Sequence, residues 1–219
     1  MGTSAAYYSI WSCGFTPDEL KDKIKVISSP GKKKDDAVFK GLSTQVTEQM
    51  RAGAAESAAH FNTIFGMKGQ PQGNRAVIAY SPDAKWLPLF ETTLCEGYTA
   101  SSKDAARLSK LFNAPVLAFS IFDSDVLFVS YSDVKKGIYY DYAKPNFEEF
   151  QEYDTDQYST EFPDFLTKFC DKSELKSIWN NPDEVFADDR LEKLCRLMQI
   201  DLLYDSTRAL EGYQLISKL

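Results

Sequence analysis

Hydrophobic and polar residues alternate with a period of two in several short segments of this chain, and turn residues separate these segments. The clearest run covers residues 115–142, where PVLAFSIF, VLFVSYS and GIYYDYA are divided by Asp-Ser-Asp and by Lys-Lys-Gly. Consecutive strands joined by short turns pair antiparallel. The pattern therefore predicts strands at 115–122, 126–132 and 137–142, with residues 123–125 at a solvent-exposed turn.

Three further segments carry strand patterns, at residues 5–12, 75–80 and 85–91. The last two are joined by SPDA, which is composed of good turn residues. Together the patterns predict one antiparallel sheet of five or six strands.

The first predicted helix follows the first strand. Thr16 has the position of an N-cap, with Pro17 at the first helical residue and Glu19 three positions after the cap. The helical period then places three apolar residues on one face, namely Leu20, Ile24 and Ile27.

Other helices are predicted further along the chain. A weaker helical segment covers residues 35–50, and a helix capped by Ser101 or Ser102 ends at Phe112. The last third, residues 146–219, is predicted to be helical. Its segments begin near Asn146, Phe162, Lys172 and Pro182, and a final short helix or extended tail covers 205–219.

The order of these elements indicates an α+β fold in which helices pack on an antiparallel sheet. A length of 219 residues with 43% hydrophobic residues is sufficient for one domain with a large core. Residues 66–73 hold three glycines and one proline, which marks a break. The sequence leaves open whether residues 1–65 form a separate subdomain.

The formal net charge of −7 favours a basic protein as partner and disfavours nucleic acid and anionic membranes. No apolar run approaches the length that spans a bilayer, and no secretory signal is visible, so a cytoplasmic protein is expected. An ordinary soluble acidic protein is the alternative explanation of the charge.

The chain has four widely spaced cysteines and a single histidine, His60. This composition disfavours a zinc site and a histidine-dependent catalytic triad. We therefore expect four reduced thiols, no metal and no cofactor.

Asp123 and Asp125 flank Ser124 directly after an apolar strand. Two carboxylates at this spacing could hold a divalent cation, and IFDSDVLF resembles the DxD motif with which many nucleotide-sugar glycosyltransferases bind manganese. The other explanation is a hairpin turn whose Asp and Ser side chains bond to the local backbone, or an interaction loop.

Residues 146–165 alternate carboxylates with aromatic side chains. Aromatic residues supply rigid contact area and acidic residues steer a basic partner, so this segment is a candidate binding surface. The alternative is a solvated, partly helical connector. The candidate residues in it are Phe147, Glu148, Glu149, Phe150, Tyr153, Asp154, Asp156 and Tyr158.

Three segments, KWLPLFE (85–91), FDSDVLFVSYSD (122–133) and EVFADDRLEKLCRLMQI (184–200), together with the pair Leu108-Ser109, resemble a group of uncharacterised bacterial proteins. Members of that group are associated with polymorphic toxin systems as immunity partners. The resemblance implies no catalytic residues.

Three functional hypotheses follow. The first is a non-enzymatic acidic binding protein, an immunity protein that neutralises a basic toxin domain. The second is a metal-dependent enzyme that uses Asp123 and Asp125. The third is a structural or regulatory module without a toxin partner.

Overall fold

One antiparallel sheet of seven strands organises the part of the chain that the structure describes. The computed structural model describes residues 5–27, 76–95, 102–145, 158–184, 186–203 and 210–217. The sheet order is β6-β5-β4-β1-β3-β2-β7. The strands are β1 (Ala5–Trp11), β2 (Ala76–Tyr80), β3 (Trp86–Glu91), β4 (Val116–Phe122), β5 (Val126–Asp133), β6 (Ile138–Pro145) and β7 (Gln214–Ser217).

Helices cover both faces of this sheet. They are α1 (Pro17–Ile27), α2 (Ser102–Phe112), α3 (Lys172–Trp179) and α4 (Ala187–Met198). A helical turn at Thr92–Cys95 and 3-10 turns at Val134–Lys136 and Asp164–Lys168 complete the described elements. The predicted α+β class and the antiparallel pairing are confirmed.

The contacts at the start of α1 explain why the sequence predicted this helix correctly. The Thr16 backbone N–H donates to Glu19 Oε2 at 2.8 Å, and the Glu19 N–H donates to Thr16 Oγ1 at 3.3 Å. This reciprocal pair satisfies two donors that a helix otherwise leaves unpaired. The predicted apolar face is buried, as expected, at Leu20, Ile24 and Ile27.

Each face of the sheet has its own core. Tyr8 and Ile10 pack with α1 and α2 on one face, whereas Trp86 and Phe119 pack with α3 and α4 on the other. Because the central strands are covered on both faces, their sequences are apolar at nearly every position.

The prediction for the last third of the chain is wrong in part. The segment ends in β7, which pairs with β2 and places Ile216 opposite Ile78. Four residues are too few to establish a period, so β7 had no strand signal. The 3-10 turn and α3 begin near the predicted residues, but α4 begins at Ala187 rather than near Pro182. The helix predicted near Asn146 lies outside the described residues.

β1 lies in the middle of the sheet, between β3 and β4. Residues 5–27 therefore share their cores with the strands that follow residue 75. The rest of the subdomain considered for residues 1–65 lies outside the described residues, and so do the helical segment predicted at 35–50 and the break at 66–73.

Candidate functional site

The Asp-Ser-Asp segment forms the tight turn between β4 and β5. Both central residues have positive φ angles, 51° at Asp123 and 62° at Ser124, and the Asp125 N–H donates to the Phe122 carbonyl at 3.0 Å. Positive φ at two successive residues defines a type I′ turn, whose twist matches that of the paired strands. Aspartate tolerates this left-handed conformation better than most residues.

The turn is only partly exposed to solvent. Asp123 is exposed and Asp125 is half-buried, but Ser124 is 9% exposed. The Ser124 carbonyl accepts a hydrogen bond from the Ala187 N–H at 2.8 Å. The predicted exposure is therefore right for Asp123 and wrong for Ser124. The local hydrophobic pattern does not reveal the burial of Ser124, because Ser124 contacts Ala187, which lies about 60 positions later in the chain.

That contact joins the turn to the first residue of α4. Phe186 occupies the N-cap position of α4, makes no capping hydrogen bond through its side chain and is 53% exposed. Asp188 and Asp189 follow in the first turn, where carboxylates interact favourably with the helix dipole. We call the surface composed of Asp123, Asp125, Phe186, Asp188 and Asp189 the acidic tip surface.

A buried arginine fixes the chain immediately before this surface. Arg190 is 2% exposed, and its guanidinium donates to four backbone carbonyls. The acceptors are Ile178 at 2.9 Å, Trp179 at 2.7 Å, Asn181 at 3.4 Å and Glu184 at 3.2 Å. These bonds tie the end of α3 to the start of α4.

Two lysines lie close to this arginine network. Lys193 forms an ion pair with the buried carboxylate of Glu184. Burial, and then the nearby positive charge of Arg190, lower the pKa of Lys144, which is half-buried on β6. Among the carboxylates of the acidic tip surface, Asp123 and Asp189 are exposed and Asp125 and Asp188 are half-buried.

The turn supplies two carboxylates for the metal-site hypothesis. Asp123 and Asp125 provide two carboxylates, but among the described residues no group of three or more His, Cys, Asp or Glu side chains could hold an ion. A cation such as Mg²⁺ is held by one or two protein carboxylates when waters and substrate phosphates supply its other oxygen ligands. The described part of the chain adds no protein ligand to the pair.

Of the segment 146–165, residues 158–165 are described, and Tyr158 is the one candidate binding residue among them; Phe165 is buried in the core that α3 and α4 cover. The Tyr158 ring is 4.9 Å from the Phe128 ring, and Tyr158 packs against the small apolar cluster that contains Phe128 and Val126, the residue after Asp125. Ser159 bonds to the outer edge of β6, at Asp141 and Ala143. The other candidates, Phe147, Glu148, Glu149, Phe150, Tyr153, Asp154 and Asp156, lie outside the described residues.

Sequence reasoning missed the contribution of α4 to this surface. Phe186, Asp188 and Asp189 belong to a segment that was recognised as a helix and as part of the resemblance, but not as a binding site. A large apolar residue two positions before a pair of aspartates at a helix start is a usable signal. To use this signal, the prediction would have had to begin the helix at Ala187.

Three of the four cysteines, Cys13, Cys170 and Cys195, have thiol pKa values above the ordinary value, mainly because of burial. All four are free thiols. Burial raises the pKa values of Cys170 and Cys195, which keeps these thiols protonated at neutral pH.

An open groove of about 430 Å³ lies beside α3 and α4. Ile178 and Leu197 contribute its apolar lining, and Glu174, Lys193 and Arg196 contribute charges of both signs. The groove lacks the single-sign charge of the acidic tip surface.

Comparisons with known proteins give no match: no family model, no curated protein and no solved structure resembles this chain significantly. None of the helices in the described ranges has the length and apolar character needed to cross a membrane.

Proposed function

We propose that this chain acts by binding a basic protein through the acidic tip surface, and not by catalysis. The observation that carries the proposal is the hydrogen bond between Ser124 and Ala187, because it holds two acidic elements together on a fixed backbone. A preorganised surface loses less conformational entropy on binding than a flexible loop does.

The overall charge supports a basic partner. A net charge of −7 produces a field that attracts basic proteins and raises their association rate. The same field repels nucleic acid phosphates and anionic lipids. Aromatic and acidic residues at 147–158 would extend the binding surface, since Tyr158 packs in the apolar cluster of Val126 and Phe128 next to the turn.

A toxin domain is the partner class that the sequence resemblance supports. Two of the three segments that carry the resemblance, residues 122–133 and 184–200, contain Ser124 and Ala187, which contact each other. In this proposal the chain is a cytoplasmic immunity protein that neutralises the toxin by covering a basic surface.

The test removes the charge of the turn without changing its shape. The double variant Asp123→Asn, Asp125→Asn is isosteric, and asparagine tolerates positive φ. With a partner captured by affinity chromatography, association at low salt should slow about three- to tenfold, measured by stopped-flow or surface plasmon resonance. Adding Glu148→Gln and Glu149→Gln should bring the loss to roughly tenfold or more.

The matched control is Asp18→Asn, Asp22→Asn on α1. These two side chains are 91% and 77% exposed, and α1 packs on the opposite face of the sheet from α4. The control changes net charge equally and should leave the association rate close to wild type. Equal slowing by both double variants, no slowing by either, or an acidic partner would contradict the proposal.

A further inference from the structure

Phe186 occupies a position where helix chemistry favours a different residue. The N-cap residue normally accepts a hydrogen bond from the first turn through a Ser, Thr, Asp or Asn side chain. Phe186 has the extended backbone of a cap, with φ −114° and ψ 137°, but no such acceptor. A local rule broken without a packing gain marks a candidate functional residue.

The turn between β4 and β5 satisfies a different donor at the same helix start. The Ser124 carbonyl accepts the N–H of Ala187, which is the first residue of α4. One of the helix donors that lack an intrahelical acceptor is therefore satisfied from another part of the chain. The Phe186 side chain makes no capping bond and is 53% exposed.

Phe186 is one of three exposed large hydrophobic side chains in the described residues, with Val26 and Tyr139. It differs from the other two in its surroundings. Asp188 and Asp189 lie on its own helical turn, and Asp123 and Asp125 lie on the turn bonded to the next residue.

We propose that Phe186 is the apolar anchor of a docking surface for a basic, amphipathic protein segment. This inference rests on the proposed function. In it, Phe186 contributes most of the binding free energy, whereas the carboxylates raise the association rate of a basic partner. Binding energy concentrates in a few aromatic residues surrounded by polar ones. The occupant carries Lys or Arg residues opposite the four carboxylates and apolar side chains against the ring.

The probes are three fluorescently labelled eight-residue peptides of alternating sequence: Lys-Leu, Lys-Ser and Glu-Leu. Titrated against the full chain by fluorescence anisotropy, the Lys-Leu peptide should bind more tightly than the Lys-Ser peptide, and the Glu-Leu peptide should not bind. Only the Lys-Leu peptide combines the two features of the proposed occupant.

The decisive variant is Phe186→Ser. Serine is a preferred N-cap, so this change removes the ring without weakening α4, and thermal unfolding should show an unchanged or slightly higher Tm. Affinity for the Lys-Leu peptide should fall about tenfold, whereas affinity for the Lys-Ser peptide should stay the same. The matched control is Tyr139→Ser, because Tyr139 is also 53% exposed and should leave both affinities unchanged.

The outcomes separate this inference from the proposed function. If both basic peptides bind equally, or Phe186→Ser has no effect while Asp123→Asn, Asp125→Asn weakens binding, the anchor role is wrong and the acidic surface stands. If neither basic peptide binds, or the Glu-Leu peptide binds as well as the Lys-Leu peptide, both proposals fail. If the wild-type chain self-associates in sedimentation and Phe186→Ser abolishes it, the occupant is a second copy and the inference is wrong.

Discussion

Arg190 shows how one side chain positions the acidic tip surface without belonging to it. Its guanidinium donates to four carbonyls at the end of α3 and in the loop that leads to Phe186. Burial lowers the pKa of Arg190, so the charge is maintained at a desolvation cost that these carbonyls offset.

We expect Arg190→Ala to lower the free energy of unfolding by about 3 kcal/mol or more, because it leaves buried carbonyls without donors. Urea denaturation of both proteins measures the difference. The control on the same helix is Arg196→Ala, whose side chain is 80% exposed and 3.9 Å from Glu192. Arg196→Ala should change stability by about 0.5 kcal/mol or less. A loss below about 1 kcal/mol for Arg190→Ala would show that the network is dispensable.

Single residues are also where prediction from the sequence was weakest. The sequence pattern of an amphipathic helix predicts that an arginine in it is exposed to solvent. Arg190 is buried because its guanidinium donates to carbonyls at the end of α3 and in the following loop, which the sequence does not reveal. Phe186 was overlooked for the same reason, because its exposure depends on where α4 begins. Asp123 and Asp125 were identified because the two apolar strands that directly flank them in the sequence predict the turn.

At the scale of elements, local signals determined what could be predicted. The strands at β4, β5 and β6 and the helix α1 follow from period and capping residues close in sequence. β7 was missed because its four residues are stabilised by pairing with β2, which lies more than 130 positions earlier. The start of α4 was misplaced because a carbonyl of the distant turn caps it.

The cap of α3 gives a pH-dependent prediction. Hydrogen bonds from the Ser173 side chain and the Glu174 backbone lower the pKa of Asp171 in the folded state. A lowered folded pKa contributes stability that is present above the unfolded pKa and is lost as pH falls through the folded pKa. Asp171→Asn keeps an acceptor oxygen but removes this titration.

Wild type should therefore be more stable than Asp171→Asn at neutral pH, and the gap should close in acid as the wild-type carboxylate is protonated. Urea unfolding at a series of pH values measures the gap. Asp171→Ala loses both the charge and the acceptor and should be less stable than Asp171→Asn at neutral pH. A gap that widens as pH falls would contradict this account of the cap.

At the scale of the whole molecule, the sheet brings together two acidic segments that are far apart in the chain. β4 and β5 carry the turn at one end of the sheet. α4 packs on one face of the sheet, and the N–H of its first residue, Ala187, donates a hydrogen bond to the turn. The sequence indicated each segment separately and the sign of the net charge. Their juxtaposition could not be predicted, because it depends on how the last helices pack on the sheet.

The central claim is that this assembled acidic surface attracts and binds a basic protein, and the salt dependence of association tests it most directly. Raising ionic strength from about 0.1 M to 1 M shortens the screening length from about 10 Å to about 3 Å. The wild-type association rate with the captured partner should fall steeply over this range. The rate for the variant with Asp123, Asp125, Asp188 and Asp189 changed to Asn should start lower and fall much less. A wild-type rate that is independent of salt, or a variant with the same slope as wild type, would contradict the account.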